Sequence, residues 1–167
     1  MSHPLTRRDF LRYSGFGAAF LIAAPALRLH EALAAAIIPI THTNEEWKAM
    51  LTPEQYNVLR EEGTERPFTS PLNHEKREGV FACAGCVLEL FSSNTKFDSG
   101  TGWPSFYQAI EGHIATKTDH ALLMERTEYH CARCGGHQGH VFNDGPKPTG
   151  LRHCNNGVAL TFIPKNA

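Results

Sequence analysis

The spacing of apolar residues changes partway along the chain. Between Thr43 and Glu62 it is helical: Trp47, Met50 and Leu51 fall at i, i+3 and i+4, and Tyr56 and Leu59 repeat the three-residue step. Thr43-Asn44-Glu45-Glu46 reads as a capping box, and Thr52-Pro53-Glu54-Gln55 repeats it with proline at the first helical position. Two short helices are predicted, the second running to Glu62 and ending at Gly63, with Trp47, Met50, Leu51, Tyr56 and Leu59 turned inward. Thr64 to Glu78 carries two prolines among polar residues and predicts an extended surface loop. From Gly79 onward the pattern is of short β-like runs: Val80–Cys83, Val87–Phe91, His113–Lys117, Ala121–Tyr129 and Val158–Ile163. Thr118-Asp119-His120 predicts a hairpin connection. The fold class is therefore mainly β, an antiparallel core covered by short N-terminal helices. A doubly wound sheet is disfavoured because no helices separate the strands.

The first 34 residues do not follow either period. Arg7-Arg8-Asp9-Phe10-Leu11 is a basic start, Tyr13 to Leu27 is uncharged and apolar, and Ala32-Leu33-Ala34 offers small residues at a cleavage site. This predicts a signal peptide of the twin-arginine type over 1–34, a tether over 35–42, and a domain over 43–167, exported to the periplasm or another extracytoplasmic space. A membrane anchor is the rival reading, but it needs about 20 apolar residues, and this run contains Pro25 and stops at Arg28. No stable membrane span is expected after cleavage.

Composition adds limits. The length of 167 residues suits one domain, and 41% hydrophobic with 20% charged residues argues against disorder. A formal charge of −1 gives no general pull toward nucleic acid or anionic lipid. Five Cys is an odd number, so at least one lies outside any set of internal disulfides.

Two Cys-x-x-Cys pairs, Cys83/Cys86 and Cys131/Cys134, each follow a strand-like run containing an aromatic, so each looks like half of a zinc knuckle. Four thiolates suit one tetrahedral Zn²⁺ in a closed, structural site. Disulfides, a redox dithiol, or iron in the same S₄ set are the alternatives. Cys154 is the fifth cysteine, in Arg152-His153-Cys154-Asn155-Asn156-Gly157. Arg152, two residues away, would share one face of an extended segment with it and favour the thiolate. A buried structural cysteine is the other reading. His137 and His140 lie in a glycine-rich stretch that also reads as a turn with solvated histidines, or as a second metal site. Gly102-Trp103-Pro104-Ser105-Phe106 reads either as a rigid loop presenting Trp103 or as core packing.

Together these segments resemble the B-type methionine sulfoxide reductases, which act on the R epimer. The resemblance runs from about Asn44 to Pro164. It rests on Leu51-Thr52-Pro53-Glu54-Gln55-Tyr56, Gly63-Thr64-Glu65, both Cys-x-x-Cys pairs, Phe97-Asp98-Ser99-Gly100 and Gly102 to Phe106. It continues through His137-x-Gly139-His140-Val141-Phe142-x-Asp144-Gly145-Pro146 and ends with Arg152-x-Cys154-x-Asn156. The resemblance implies two antiparallel sheets forming an open, barrel-like core with zinc held away from the catalytic centre. It implies Cys154 as nucleophile, Trp103 with Phe106 at the substrate's methyl group, and His137, His140, Asp144, Arg152 and Asn156 around the sulfoxide oxygen. Its partners would be oxidised proteins or methionine sulfoxide, and an external thiol such as thioredoxin. Three positions depart from the common pattern. Thr101 stands where many members carry a resolving cysteine, His153 where Tyr is frequent, and Gly157 where Ser is frequent. A Cys-His-Asn hydrolase and a zinc-ribbon binding module that has lost activity are the rival functions.

Overall fold

The computed structural model describes residues 37–119 and 125–166. The expected export signal, and the first residues of the expected strand Ala121–Tyr129, lie outside the described residues. Among those described, no helix is long and apolar enough to cross a membrane.

Both capping boxes form. Thr43 accepts from the Glu46 N–H at 3.2 Å while the Glu46 carboxylate accepts from the Thr43 N–H at 2.7 Å, starting α1 (Asn44–Met50). Thr52 and Gln55 make the same exchange at 3.2 and 3.1 Å, starting α2 (Pro53–Glu61). Each box satisfies two N–H groups that the first helical turn leaves without partners. Trp47, Leu51 and Leu59 are buried as expected. Met50 is not: it is 56% exposed, because so short a helix turns only Trp47 inward. Val58 is buried in place of Tyr56, which is half-buried. The left-handed residue ending α2 is Glu62, at φ 57°, and Gly63 follows it.

Nine strands follow among the described residues: β1 (Gly79–Cys83), β2 (Glu89–Ser92), β3 (Lys96–Phe97), β4 (Ser105–Phe106), β5 (Ile114–Asp119), β6 (Arg126–Cys131), β7 (His137–Phe142), β8 (Arg152–Asn155) and β9 (Leu160–Pro164). They form two antiparallel sheets, β2-β1-β9 and β3-β4-β8-β7-β6-β5. Thr118 and Asp119, expected in a turn, are the last residues of β5, opposite Thr127 and Arg126. The 64–78 segment is not purely extended: Pro71–His74 forms a 3₁₀ turn capped by Ser70.

An aromatic core joins the sheets. Phe91 of the small sheet stacks on Phe106 of the large one, with ring centroids 4.2 Å apart and planes 10° apart. Phe81 meets Phe106 edge-on at 4.9 Å, and Tyr129 closes the cluster against Phe91. Phe81, Phe91, Phe106 and Tyr129 are wholly buried. At about 1.5–3 kcal/mol per large side chain, this cluster is a main source of cohesion between the sheets.

Strand alternation then sorts side chains between two faces of the large sheet. Cys154 lies opposite His140 on β7 and Ser105 on β4. His153 lies opposite Val141 and Phe106, facing the aromatic core.

Candidate active site and metal centre

The four knuckle cysteines converge. Their sulfurs all lie within 4.8 Å of one another, with Cys83 to Cys134 at 3.6 Å and Cys86 to Cys131 at 3.4 Å. A disulfide needs about 2.0 Å, so none is bonded. Tetrahedral Zn–S bonds of about 2.3 Å would place sulfurs about 3.8 Å apart, and this donor set fits that geometry. Trp47 and Leu59 pack over the knuckles, and Gly136 makes this possible: a Cβ there would press on the Leu59 methyl group at 2.9 Å. Gln138 donates to the Cys83 sulfur at 3.4 Å from the buried side. Among the described residues this is the one group of His, Cys, Asp and Glu close enough to hold a metal. His137 and His140 do not form a second.

Cys154 sits on β8 and lines a small pocket of about 150 Å³ with Thr64, Trp103, Arg126, His140 and Asn156. Burial pushes its thiol above the ordinary value, and Arg152 and the Thr101 hydroxyl only partly offset this. Arg152 does share the face with Cys154, but Asp144 engages it through two bonds of 2.8 Å each, Nε to Oδ1 and NH2 to Oδ2. That pair raises the Arg152 pKa and lowers the Asp144 one. Arg152 also lies over the Phe142 ring, 4.4 Å from its centroid. Asp144, 60% exposed at its side chain, therefore orients Arg152 and does not line the pocket.

His140 points its Nε2 at Asp119, 2.8 Å away, and Arg126 pairs with the same carboxylate. Burial lowers the His140 pKa, and the Asp119 bond opposes that shift. His137 lies behind His140, with ring centroids 5.6 Å apart, and its Nδ1 is 2.8 Å from Glu128. It is buried and does not line the pocket, and its Nε2 has no hydrogen-bond partner.

Asn156 accepts from the Glu65 N–H at 3.0 Å and donates to the Gln138 carbonyl at 3.0 Å, so its amide is fully engaged. No bond from the Asn156 amide to His140 or Cys154 forms, so the arrangement does not favour a Cys-His-Asn triad. Trp103 donates from Nε1 to the Glu65 carbonyl at 3.1 Å, which fixes the indole at the pocket wall. Phe106 is a correction. It alternates with Ser105 on β4, and because Ser105 pairs with Cys154, Phe106 must face the opposite way, into the core.

Several residues at the site were not expected from sequence. Glu65 is a hub: its carboxylate accepts from the N–H groups of Gly157 at 2.6 Å and Val158 at 2.9 Å, while its own backbone holds Trp103 and Asn156. Asp119 and Arg126 support His140. Behind Cys154, Tyr129 donates to the Asn155 side-chain oxygen at 2.7 Å, and the Asn155 amide N–H donates to the Gln138 side-chain oxygen at 3.4 Å, linking β8 to the cysteine cluster through Gln138. Only Glu65 carried a sequence signal, inside Gly63-Thr64-Glu65. The others are brought together by strand register.

Two of the three unusual positions now have explanations. His153 bonds through Nδ1 to the Phe106 carbonyl at 3.2 Å and packs on Tyr129, away from the sulfur. Gly157 leaves the space that Ser70 occupies, since a Cβ at 157 would collide with the Ser70 hydroxyl. Thr101, where a resolving cysteine is common, shares a hydrogen bond with the Ser99 hydroxyl 2.8 Å away, and its hydroxyl favours the Cys154 thiolate.

A family model described as the SelR domain matches residues 51–164. Several curated proteins called peptide methionine sulfoxide reductase MsrB are similar to the chain. The one from Pseudomonas putida is 59% identical over 128 residues, 76% of this chain and 96% of that protein. The one from Methanosarcina barkeri is 56% identical over 124 residues, covering 74% and 87%. The one from Leptospira interrogans is 52% identical over 124 residues, covering 74% and 95%.

Proposed function

The chain belongs to the SelR-domain family of peptide methionine sulfoxide reductases, and on that footing we propose how its residues carry out the reduction. It is an oxidoreductase that reduces methionine sulfoxide to methionine. The observation that carries the assignment of roles is the pairing of Cys154 with His140 across β7 and β8, at the one small pocket that Trp103 also lines.

The reaction needs one proton in total: Cys–SH and a sulfoxide give Cys–SOH and a thioether. The resting site already holds that proton. Cys154 is held as the thiol and His140 is held neutral by burial. When substrate enters, His140 takes the thiol proton, and Asp119 and Arg152 stabilise the resulting imidazolium and thiolate. The thiolate attacks the sulfoxide sulfur, forming an S–S bond, and His140 returns the proton to the oxygen; the hydroxyl then passes to the Cys154 sulfur as the S–O and S–S bonds break, releasing methionine and leaving Cys154 as sulfenic acid. Trp103 receives the methyl group, and this wall selects the R epimer. Asp144 and Asn156 act through other residues, by orienting Arg152 and by holding the Glu65 segment. His137 braces His140 from behind.

Recycling is by an external thiol. One thiol condenses with the sulfenic acid to release water, and a second, as in a thioredoxin-like dithiol, releases Cys154 and leaves a disulfide. Thr101 supplies no internal thiol, and the other four cysteines hold one structural zinc, which contributes rigidity and no chemistry. The substrate is oxidised protein or free methionine sulfoxide. The paired Arg7-Arg8 and the apolar run after them support export, with the mature chain beginning at Ala35.

Turnover of separate R and S sulfoxide epimers with dithiothreitol, alongside Cys154→Ser, tests the reading. Turnover of R alone, abolished in the variant, is expected. Turnover by Cys154→Ser would remove Cys154 from its role. Mass spectrometry after one turnover should show sulfenic acid and no internal disulfide, and N-terminal sequencing of exported protein should begin at Ala35.

A further inference from the structure

We propose that the groove between α2 and the 64–72 segment receives the residues flanking an oxidised methionine, and that it selects extended peptides carrying an apolar residue near the sulfoxide. The proposal rests on the reductase reading above and adds to it where the rest of the substrate lies.

Size makes the first case. The Cys154 pocket, at about 150 Å³, takes little more than the methyl sulfoxide end of one side chain. The groove measures about 750 Å³ on the same scale, within the roughly 300–1,000 Å³ of sites that bury a small organic ligand. Continuity makes the second. Thr64 lines both spaces. Asn156 lines the pocket, and the next residues along the chain, Gly157 and Val158, line the groove. A chain whose methionine side chain enters the pocket beside Trp103 thus meets the groove within a residue or two on one side.

The lining chemistry fits a peptide. Val58, Leu72, Val158 and Leu160 supply apolar surface, while the Asn57 amide and the N–H groups of the Gln55 amide, whose oxygen serves the helix cap, can meet backbone groups. The carboxylate of Glu65 does not make the groove acidic in effect, because its two oxygens already accept from Gly157 and Val158. Glu54 and Arg66 also line the groove, one of each charge, so it carries no net sign to select a charged flank, and an apolar flanking side chain is favoured. Because this contact is remote from the sulfur and equal in the ground and transition states, it acts on KM more than on kcat.

The test uses the full chain with dithiothreitol and three R-sulfoxide substrates: N-acetylmethionine sulfoxide amide, and two heptapeptides with central methionine sulfoxide flanked at two and three residues either side by Leu or by Ser. The Leu peptide should show kcat/KM about tenfold above the Ser peptide, through KM. Leu72→Asn should erase that difference and leave the small substrate unchanged, and Leu72→Met should restore it. Equal kcat/KM for the two peptides overturns the proposal, as does an equal loss on all three substrates in Leu72→Asn. A second copy of the chain seated in the groove would show as concentration-dependent mass without peptide preference, and also overturns it. Absence of turnover of the small sulfoxide overturns the reductase reading itself, a result distinct from equal peptides.

Discussion

At Cys154 burial and charge oppose each other. Removing the sulfur from water disfavours the thiolate, and a nearby cation favours it. Burial prevails because the cation, Arg152, is shared with Asp144. Arg152→Met should therefore move the pH midpoint of Cys154 alkylation upward and slow turnover at pH 7 by about tenfold. A midpoint that stays in place would show that Arg152 does not act on the sulfur. His140 makes the second residue-scale prediction. Its pKa is lowered by burial and raised by Asp119, so Asp119→Asn should lower it further. The imidazolium then forms less readily, and kcat should fall by about ten- to a hundredfold with little change in KM. A fall confined to KM would make Asp119 a binding group. Residue types alone made Cys154, Arg152 and His140 candidates. Nothing local marked Asp119, which read as a turn residue next to a histidine.

At the scale of elements, β7 and β8 carry the candidate catalytic residues and were the hardest strands to see. His137–Phe142 and Arg152–Asn155 have polar groups on both faces, because one face builds the site and the other builds the Tyr129-Asn155-Gln138 network. Period-two alternation is therefore absent, and glycines suggested a turn. Gly139 is needed in the strand itself, since any Cβ there would strike the Cys154 carbonyl. The helices were legible because their caps are local and self-contained. The same two-face logic separates two unusual positions. His153→Tyr faces the core and should leave kcat within about twofold. Gly157→Ser forces the Ser70 turn away from the Gly157–Ala159 turn and should destabilise the fold by about 1–3 kcal/mol. Thermal melts with parallel rates check both. An equal loss of rate in His153→Tyr would mean that the core ring reaches the sulfur after all.

For the whole molecule, the four-cysteine cluster would, with a metal bound, staple the two sheets: Cys83 ends β1 and Cys131 ends β6, strands far apart in sequence. Metal removal by a chelator should lower the melting temperature sharply, since such sites contribute on the order of 10 kcal/mol to folding. An unchanged melt would make the cysteines a passive cluster. Acid should act in the same direction. Burial lowers the pKa of His130, His140 and His153, so the unfolded chain binds more protons below about pH 6.5. Their stabilisation is present above that pH and lost as pH falls through it, so melts at pH 5 should lie below those at pH 7.5. The opposite order would show that these histidines gain, not lose, protons on folding. By itself the sequence determined the helix starts and the β character, and it made the paired cysteines and the odd fifth one candidates for a metal site and a reactive thiol, because each follows from neighbouring residues or from a count of residue types. Only the tertiary structure decided that Phe106 and His153 belong to the core, that Asp119 and Glu65 belong to the site, and that Arg152 is already engaged. Those outcomes depend on which strand lies beside which, and in what register, and that pairing is set by long-range packing between segments that the local pattern cannot connect.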